Sequence, residues 1–154
     1  MTGNVRLTRD CALTELDKSL SAAIQAHLSK FKLAVTPESV QMCCETESTQ
    51  QKKSVFGGSE KAIQAVILTD ERIIWGERVH GKNNSAGSAQ LNQIEMRDYE
   101  HTAMFNIIPD SGVNITGQYS DSSQTGQLFI ALDSGPAGAK FRELLREAIK
   151  NSKK

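Results

Sequence analysis

The three cysteines are the residues of this sequence whose spacing most directly suggests chemistry. Cys43 and Cys44 are adjacent, which would allow them to hold a soft metal or to form a vicinal disulfide. In a strand, however, adjacent side chains point to opposite faces, so one of the two thiols is expected to pack inward. No Cys-x-x-Cys spacing and no neighbouring histidine accompanies them. We therefore predict free thiols and no metal site, and a redox role for this pair stays open.

Residues suited to catalysis are scattered along the chain. His27, His80 and His101 lie far apart in sequence, and none has a second potential ligand at a metal-binding spacing. The sequence contains no nucleophile elbow, no phosphate-binding loop and no dinucleotide fingerprint. A general base also needs a partner within hydrogen-bonding reach, and no motif nominates one. We expect no catalytic residues, no cofactor and a protein that is not an enzyme, although folding could still assemble distant side chains.

The overall composition argues against two classes of protein. Eighteen Lys and Arg residues balance eighteen Asp and Glu residues, giving a net charge of zero, whereas nucleic-acid-binding domains are usually basic. Uninterrupted apolar stretches are no longer than residues 65–68, so no transmembrane segment is expected. The first ten residues lack the apolar region of a secretory signal, which favours a cytoplasmic location with reduced thiols.

Charge is distributed unevenly towards the carboxyl end. Residues 83–133 contain one basic and six acidic residues, a net charge of −5, and residues 134–154 carry a net charge of +4. The excess of cations predicts either ion pairs along a helix surface or an electrostatic docking surface for an acidic partner or a second copy. The candidate docking residues are Lys140, Arg142, Arg146 and Lys150.

Hydrophobic periodicity predicts a helix at each end. Residues 1–10 are interpreted as a loose leader, and an amphipathic helix is expected from Asp10 until Pro37 ends the pattern. This helix could pack on its own domain or on a neighbouring chain. Pro136 is placed to begin a second helix, whose apolar stripe comprises Phe141, Leu144, Leu145, Ala148 and Ile149.

Seven short strands are predicted between the two helices. Residues 69–72 and 109–112 have the composition of tight turns, and no helix intervenes between strands, which excludes a βαβ architecture. We expect an α+β, mainly β, fold: a seven-stranded antiparallel barrel over residues 38–154 that is capped by the C-terminal helix. Residues 1–37 add a leader and an N-terminal helix. The predicted strands are 40–45, 62–69, 72–80, 88–99, 104–108, 113–119 and 127–132.

Three short motifs resemble the bacterial pleckstrin-homology-like (PH-like, GRAM-like) domains. The second and third strands meet in Thr69-Asp70-Glu71-Arg72, flanked by apolar residues, as in the "lTdeRli" turn of that family. Leu91 and Ile94 match a step in its fourth strand, and the spacing of Phe141, Leu145 and Ile149 matches its closing helix. The resemblance covers residues 38–151, and these motifs report packing and strand spacing rather than chemistry.

The resemblance implies an interaction module rather than an enzyme. We expect protein–protein binding or self-association, through a sheet edge or the N-terminal helix. The alternative is binding of an acidic phospholipid headgroup, because lipid-binding members of the family carry basic residues in the loop between their first two strands. At the matching positions this sequence has Lys52, Lys53 and Lys61.

Overall fold

The computed structural model describes residues 4–51, 59–79, 83–120 and 125–154, and it shows an α+β fold that is mainly β. Its described strands form two antiparallel sheets. The five-stranded sheet has the order β1-β2-β3-β4-β5, and the three-stranded sheet has the order β6-β7-β8. The strands are β1 (Asn4–Asp10), β2 (Val40–Gln51), β3 (Ser59–Thr69), β4 (Arg72–Val79), β5 (Ser85–Gln90), β6 (Ile94–Asp98), β7 (Gly112–Gln118) and β8 (Thr125–Ala131).

Two helices complete the fold, α1 (Lys18–Lys30) and α2 (Pro136–Ser152). Pro136 is the first residue of α2, as predicted, because its fixed φ suits that position and its missing N–H has no partner to lose there. Neither described helix contains an apolar stretch long enough to cross a membrane.

The central strands of the five-stranded sheet are buried on both faces. One face packs against the three-stranded sheet and α2, forming a core that includes Val66, Ile73, Ile115 and Phe141. The other face is covered by α1, whose Leu20, Ile24 and Leu28 pack on residues of β2, β3 and β4. The N-terminal helix therefore packs on its own domain, and its apolar side is not available to a neighbouring chain.

The predicted seven-stranded closed barrel is wrong in its closure and its strand count. The described residues contain eight strands in two sheets that do not close into a barrel. Residues 88–99 were expected to form one strand, but a 3₁₀ turn at Leu91–Gln93 separates β5 from β6 and passes the chain from one sheet to the other. The buried Leu91 anchors this corner, with its N–H donating to the Glu71 carbonyl at 2.9 Å.

The predicted leader, residues 1–10, is also wrong, because Asn4–Asp10 is strand β1 and pairs with β2 along its whole length. The helix expected from Asp10 begins at Lys18, where the Asp17 carboxylate accepts the N–H groups of Ser19 and Leu20. The preceding residues Leu13–Glu15 form a separate 3₁₀ turn.

The strand predicted at residues 104–108 is instead a 3₁₀ helix, Ala103–Asn106, followed by a turn. Strand β7, its expected hairpin partner, is already paired with β6 on one side and β8 on the other. No free edge of β7 remains for a further strand, and this apolar segment lies at the surface.

Candidate interaction surface

The candidate headgroup-binding lysines are only partly covered by the structure. Lys52 and Lys53 lie outside the described residues. Lys61, on β3, is exposed, and its Nζ lies 3.0 Å from Glu47 Oε1 across the β2–β3 pair. The described part of this hairpin thus places a carboxylate beside its lysine, and phospholipid binding stays a prediction.

The cations of α2 are largely engaged within the chain. Arg142 is mostly buried, with Nη1 3.0 Å from Asp98 Oδ1 and Nη2 2.9 Å from Glu100 Oε2. Arg146 reaches Asp98 at 2.9 Å and Glu143 at 3.1 Å.

At the amino end of α2, the Lys140 ammonium lies 3.0 Å from the carboxylate of Asp10. Lys150 is exposed. The positive helix and the negative segment before it therefore neutralise each other at Asp98 and Glu100, which leaves the proposed docking surface with much less free charge than the sequence suggests.

One histidine has a partner that the sequence did not reveal. His27 Nε2 lies 2.8 Å from Ser88 Oγ, and the Ser88 hydroxyl donates to Ser120 Oγ at 3.0 Å. Ser88 has no exposed surface, so this hydroxyl is out of reach of a substrate. The contact joins α1 to β5, which agrees with the position of His27 beside the apolar stripe of the helix.

The cysteines separate as strand geometry requires. Cys44 lies in the core between the sheets, whereas Cys43 lies on the face covered by α1. Burial raises the pKa of Cys44 to about 12, and it also raises the pKa of Cys43. Within the described ranges, no group of three or more His, Cys, Asp or Glu residues is arranged to hold a metal ion.

The large exposed apolar side chains of the described residues lie on two segments of the chain. The first segment is β1 and the second is the chain between β6 and β7. They are joined where Arg6 makes two hydrogen bonds to the Asp110 carboxylate, at 3.0 and 2.6 Å. We name these two segments together the apolar edge, and its large exposed apolar residues are Val5, Leu7, Met104, Ile107 and Ile108.

Contacts of Tyr99 hold the β6–β7 segment of the apolar edge in place. The Tyr99 hydroxyl donates to the Ile108 carbonyl at 2.6 Å. The Tyr99 ring makes edge-to-face contacts with Phe105 and with Phe129 of β8. Ile107 is nevertheless 74% exposed and Ile108 58%. This backbone is fixed while its apolar side chains face the solvent, an arrangement suited to binding because little ordering remains to be done.

The sequence did not reveal the apolar edge, because residues 104–108 are predicted to be a hairpin strand and residues 1–10 a leader. The alternation of Val5 and Leu7 with Arg6 and Thr8 was the available signal for β1.

Comparisons of this chain with protein-family models, with curated proteins and with solved structures gave no match.

Proposed function

We propose that this chain is a PH-like interaction module without catalytic turnover, and that it binds a second copy of itself through the apolar edge. The observation that carries the proposal is the grouping of the large exposed apolar side chains of the described residues on two segments joined by the Arg6–Asp110 pair. An exposed cluster of this kind is typical of a protein interaction site.

The strand order supports the architectural part of the proposal. Strands β2–β5 form four neighbouring strands of one sheet, β6–β8 form the second sheet, and α2 packs on the core between them. Seven antiparallel strands with a C-terminal helix is the arrangement that the resemblance implies, and β1 and α1 would be additions to it.

Electrostatics favours a second copy as the partner. The charges that join the two segments of the apolar edge, Arg6 and Asp110, are already paired with each other, and each side chain is only 14% exposed. A second copy that covers this pair therefore leaves neither of these two charges without its partner. The net charge of zero also removes long-range repulsion between copies.

The contact is proposed to be made by side chains rather than by adding a strand to the sheet. On the outer edge of β1, the Thr8 N–H already donates to Asp133 Oδ2 at 2.8 Å. A partner strand would have to displace this carboxylate. Leu7, 65% exposed, and Ile107 can instead be buried without breaking any hydrogen bond of the chain.

The experiment is sedimentation velocity over a range of protein concentrations. The wild-type chain is expected to show a monomer–dimer equilibrium, and the double variant Leu7→Ser/Ile107→Ser is expected to remain monomeric. Lys150→Ser, an exposed change on α2, is the control and should dimerise like the wild type. A wild-type chain that stays strictly monomeric at high concentration would overturn the proposal.

A further inference from the structure

Cys11 and Cys43 face each other across two neighbouring strands. Cys11 directly follows β1, and the pairing of Asp10 with Cys44 brings Cys11 opposite Cys43. The Cys11 N–H donates to the Cys43 carbonyl at 3.0 Å, which continues the ladder by one residue. The two Sγ atoms lie 3.9 Å apart.

This geometry is compatible with a disulfide. Opposed residues of an antiparallel pair have Cα atoms about 4.5–5.5 Å apart, inside the range of about 4.4–6.8 Å that disulfides span. The sulfur atoms must approach to about 2.05 Å. Rotations of the two side chains supply this movement, and the backbone can stay where it is.

A cleft gives an oxidant access to the pair. A cavity of about 360 Å³ lies between the end of β1 and the start of β2, and both Cys11 and Cys43 line it, together with Leu13, Pro37 and Met42. Cys11 is the more exposed of the two, at 9% against 3% for Cys43. Cys44 points into the core on the opposite face of the sheet.

We propose that Cys11 and Cys43 form a reversible disulfide, and that the oxidant is a small-molecule disulfide such as glutathione disulfide. The Cys11 thiolate attacks one sulfur of glutathione disulfide, forms a mixed disulfide and releases glutathione. The Cys43 thiolate then attacks the Cys11 sulfur, forms the protein disulfide and releases the second glutathione. Two protein thiols are oxidised and one glutathione disulfide is reduced to two thiols, so atoms and electrons balance.

The reaction is expected to be slow, because burial raises the pKa of Cys11 and of Cys43 and so lowers their thiolate fractions. Once formed, the bond ties the end of the edge strand β1 to β2. The inference rests on the cysteine geometry alone and is independent of the proposed dimer.

The experiment is oxidation of the folded full-length chain with glutathione disulfide, followed by denaturation and alkylation of the remaining thiols. The oxidised chain is expected to alkylate at one cysteine rather than three. After trypsin, peptide 10–18 should be found linked to peptide 33–52, and dithiothreitol should separate them. Three alkylated cysteines, a stable glutathione adduct without a cross-link, or a bond between Cys43 and Cys44 would each overturn the proposal.

Single substitutions identify the partners. Cys44→Ser is the matched control and should retain the cross-link, and its loss in that variant would contradict the assignment. Cys11→Ser should abolish the cross-link and leave circular dichroism unchanged. Should Cys11→Ser fail to fold, the peptide map of the wild-type and Cys44→Ser chains still decides between the outcomes.

Discussion

Asp17 is the single residue on which the start of α1 depends. Its carboxylate accepts the N–H groups of Ser19 and Leu20 and binds the Arg78 guanidinium through two contacts, at 3.1 and 3.0 Å. Burial by itself raises the pKa of Asp17, but the hydrogen bonds from Ser19, Arg78 and Leu20, together with the Arg78 charge, outweigh it. The result is a pKa lowered from 3.8 to about 2.

This shift predicts a pH-dependent contribution to stability. A carboxyl group whose pKa is lower in the folded state stabilises the fold above its unfolded pKa, and the contribution is lost as the pH falls through the folded value. Replacing Asp17 with Asn retains a capping side chain but removes the charge. We expect Asp17→Asn to lower the free energy of unfolding by about 1–2 kcal/mol at pH 7.

Urea unfolding of the wild type and Asp17→Asn measures this effect between pH 7 and pH 2. The difference between the two chains should shrink as the pH falls from about 4 to about 2, the range between the unfolded and folded pKa. Glu38→Gln, an exposed change before β2, serves as the control and should track the wild type. A difference that stays constant down to pH 2 would contradict the account.

Among the elements, α1 covers the face of the five-stranded sheet that lies opposite the second sheet. Leu20 and Ile24 contact a sheet face made of Ala65, Ile67 and Ile74. The helix approaches closely at Gly76, where an added Cβ would lie 3.0 Å from Ile24 Cγ1. A side chain at this position would require the Ile24 side chain to shift by a few tenths of an ångström.

Removing the apolar contact of α1 should therefore destabilise the whole domain. Leu20 is fully buried, and Leu→Ala substitutions at such sites cost about 2–5 kcal/mol. We expect Leu20→Ala to fall in that range when measured by urea unfolding, and the exposed change Gln25→Ala on the same helix to stay within about 0.5 kcal/mol. Equal effects of the two variants would mean that α1 does not pack on the sheet as described.

Elements with a conventional apolar pattern could be predicted from the sequence. The stripe of α2, the β3–β4 hairpin and its turn at Thr69 are found where periodicity placed them, and the Thr69 hydroxyl accepts the N–H groups of Glu71 and Arg72. Strand β4 shows the limit of this reasoning. Ile73 and Ile74 belong to different cores, and a strand buried on both faces no longer alternates between apolar and polar residues.

Strand β1 and residues 104–108 could not be predicted, because each reverses the usual pattern. In β1, Arg6 and Thr8 point towards the second sheet, whereas Val5 and Leu7 face the solvent. The apolar residues 104–108 lie at the surface, because β7, the strand expected to pair with them, is already paired with β6 and β8. The candidate site could not be predicted for the same reason, since apolar residues in a sequence are expected to lie in the core.

Over the whole molecule, opposite charges tie α2 to the segment that precedes it. Asp98, at the end of β6, receives both Arg142 and Arg146. The acidic segment and the cationic helix, which are far apart in sequence, therefore meet in the fold. An exposed pair such as Glu143–Arg146 contributes little to stability, whereas the mostly buried Arg142–Asp98 pair fixes the helix on the second sheet.

Where β1 and β3 approach the end of β8, a boundary that we call the seam, hydrogen bonds made by side chains join the two sheets. At one point Thr8 and Asp133 exchange hydrogen bonds, with the Asp133 N–H donating to Thr8 Oγ1 at 2.9 Å. At another point, the side-chain amide of Gln64 on β3 makes the two hydrogen bonds that a backbone peptide group of a neighbouring strand would make. Its Nε2 donates to the Phe129 carbonyl at 3.1 Å, and its Oε1 accepts the Ala131 N–H at 2.9 Å.

Gln64 is only 8% exposed, so removing its amide leaves two backbone groups of β8 without partners in a buried place. Each such group costs about 1–3 kcal/mol. We expect Gln64→Met, which keeps the length of the side chain, to lower the free energy of unfolding by about 2–4 kcal/mol. Hydrogen exchange at the Ala131 amide should accelerate in the same variant, because this N–H loses its acceptor.

The control is Gln127→Met on β8, where the side chain is exposed and the same chemical change removes no contact between the sheets. It should unfold like the wild type and leave exchange at Ala131 unchanged. If Gln64→Met were as stable as Gln127→Met, the seam would not depend on this amide. Packing of the apolar core alone would then hold the second sheet against the first.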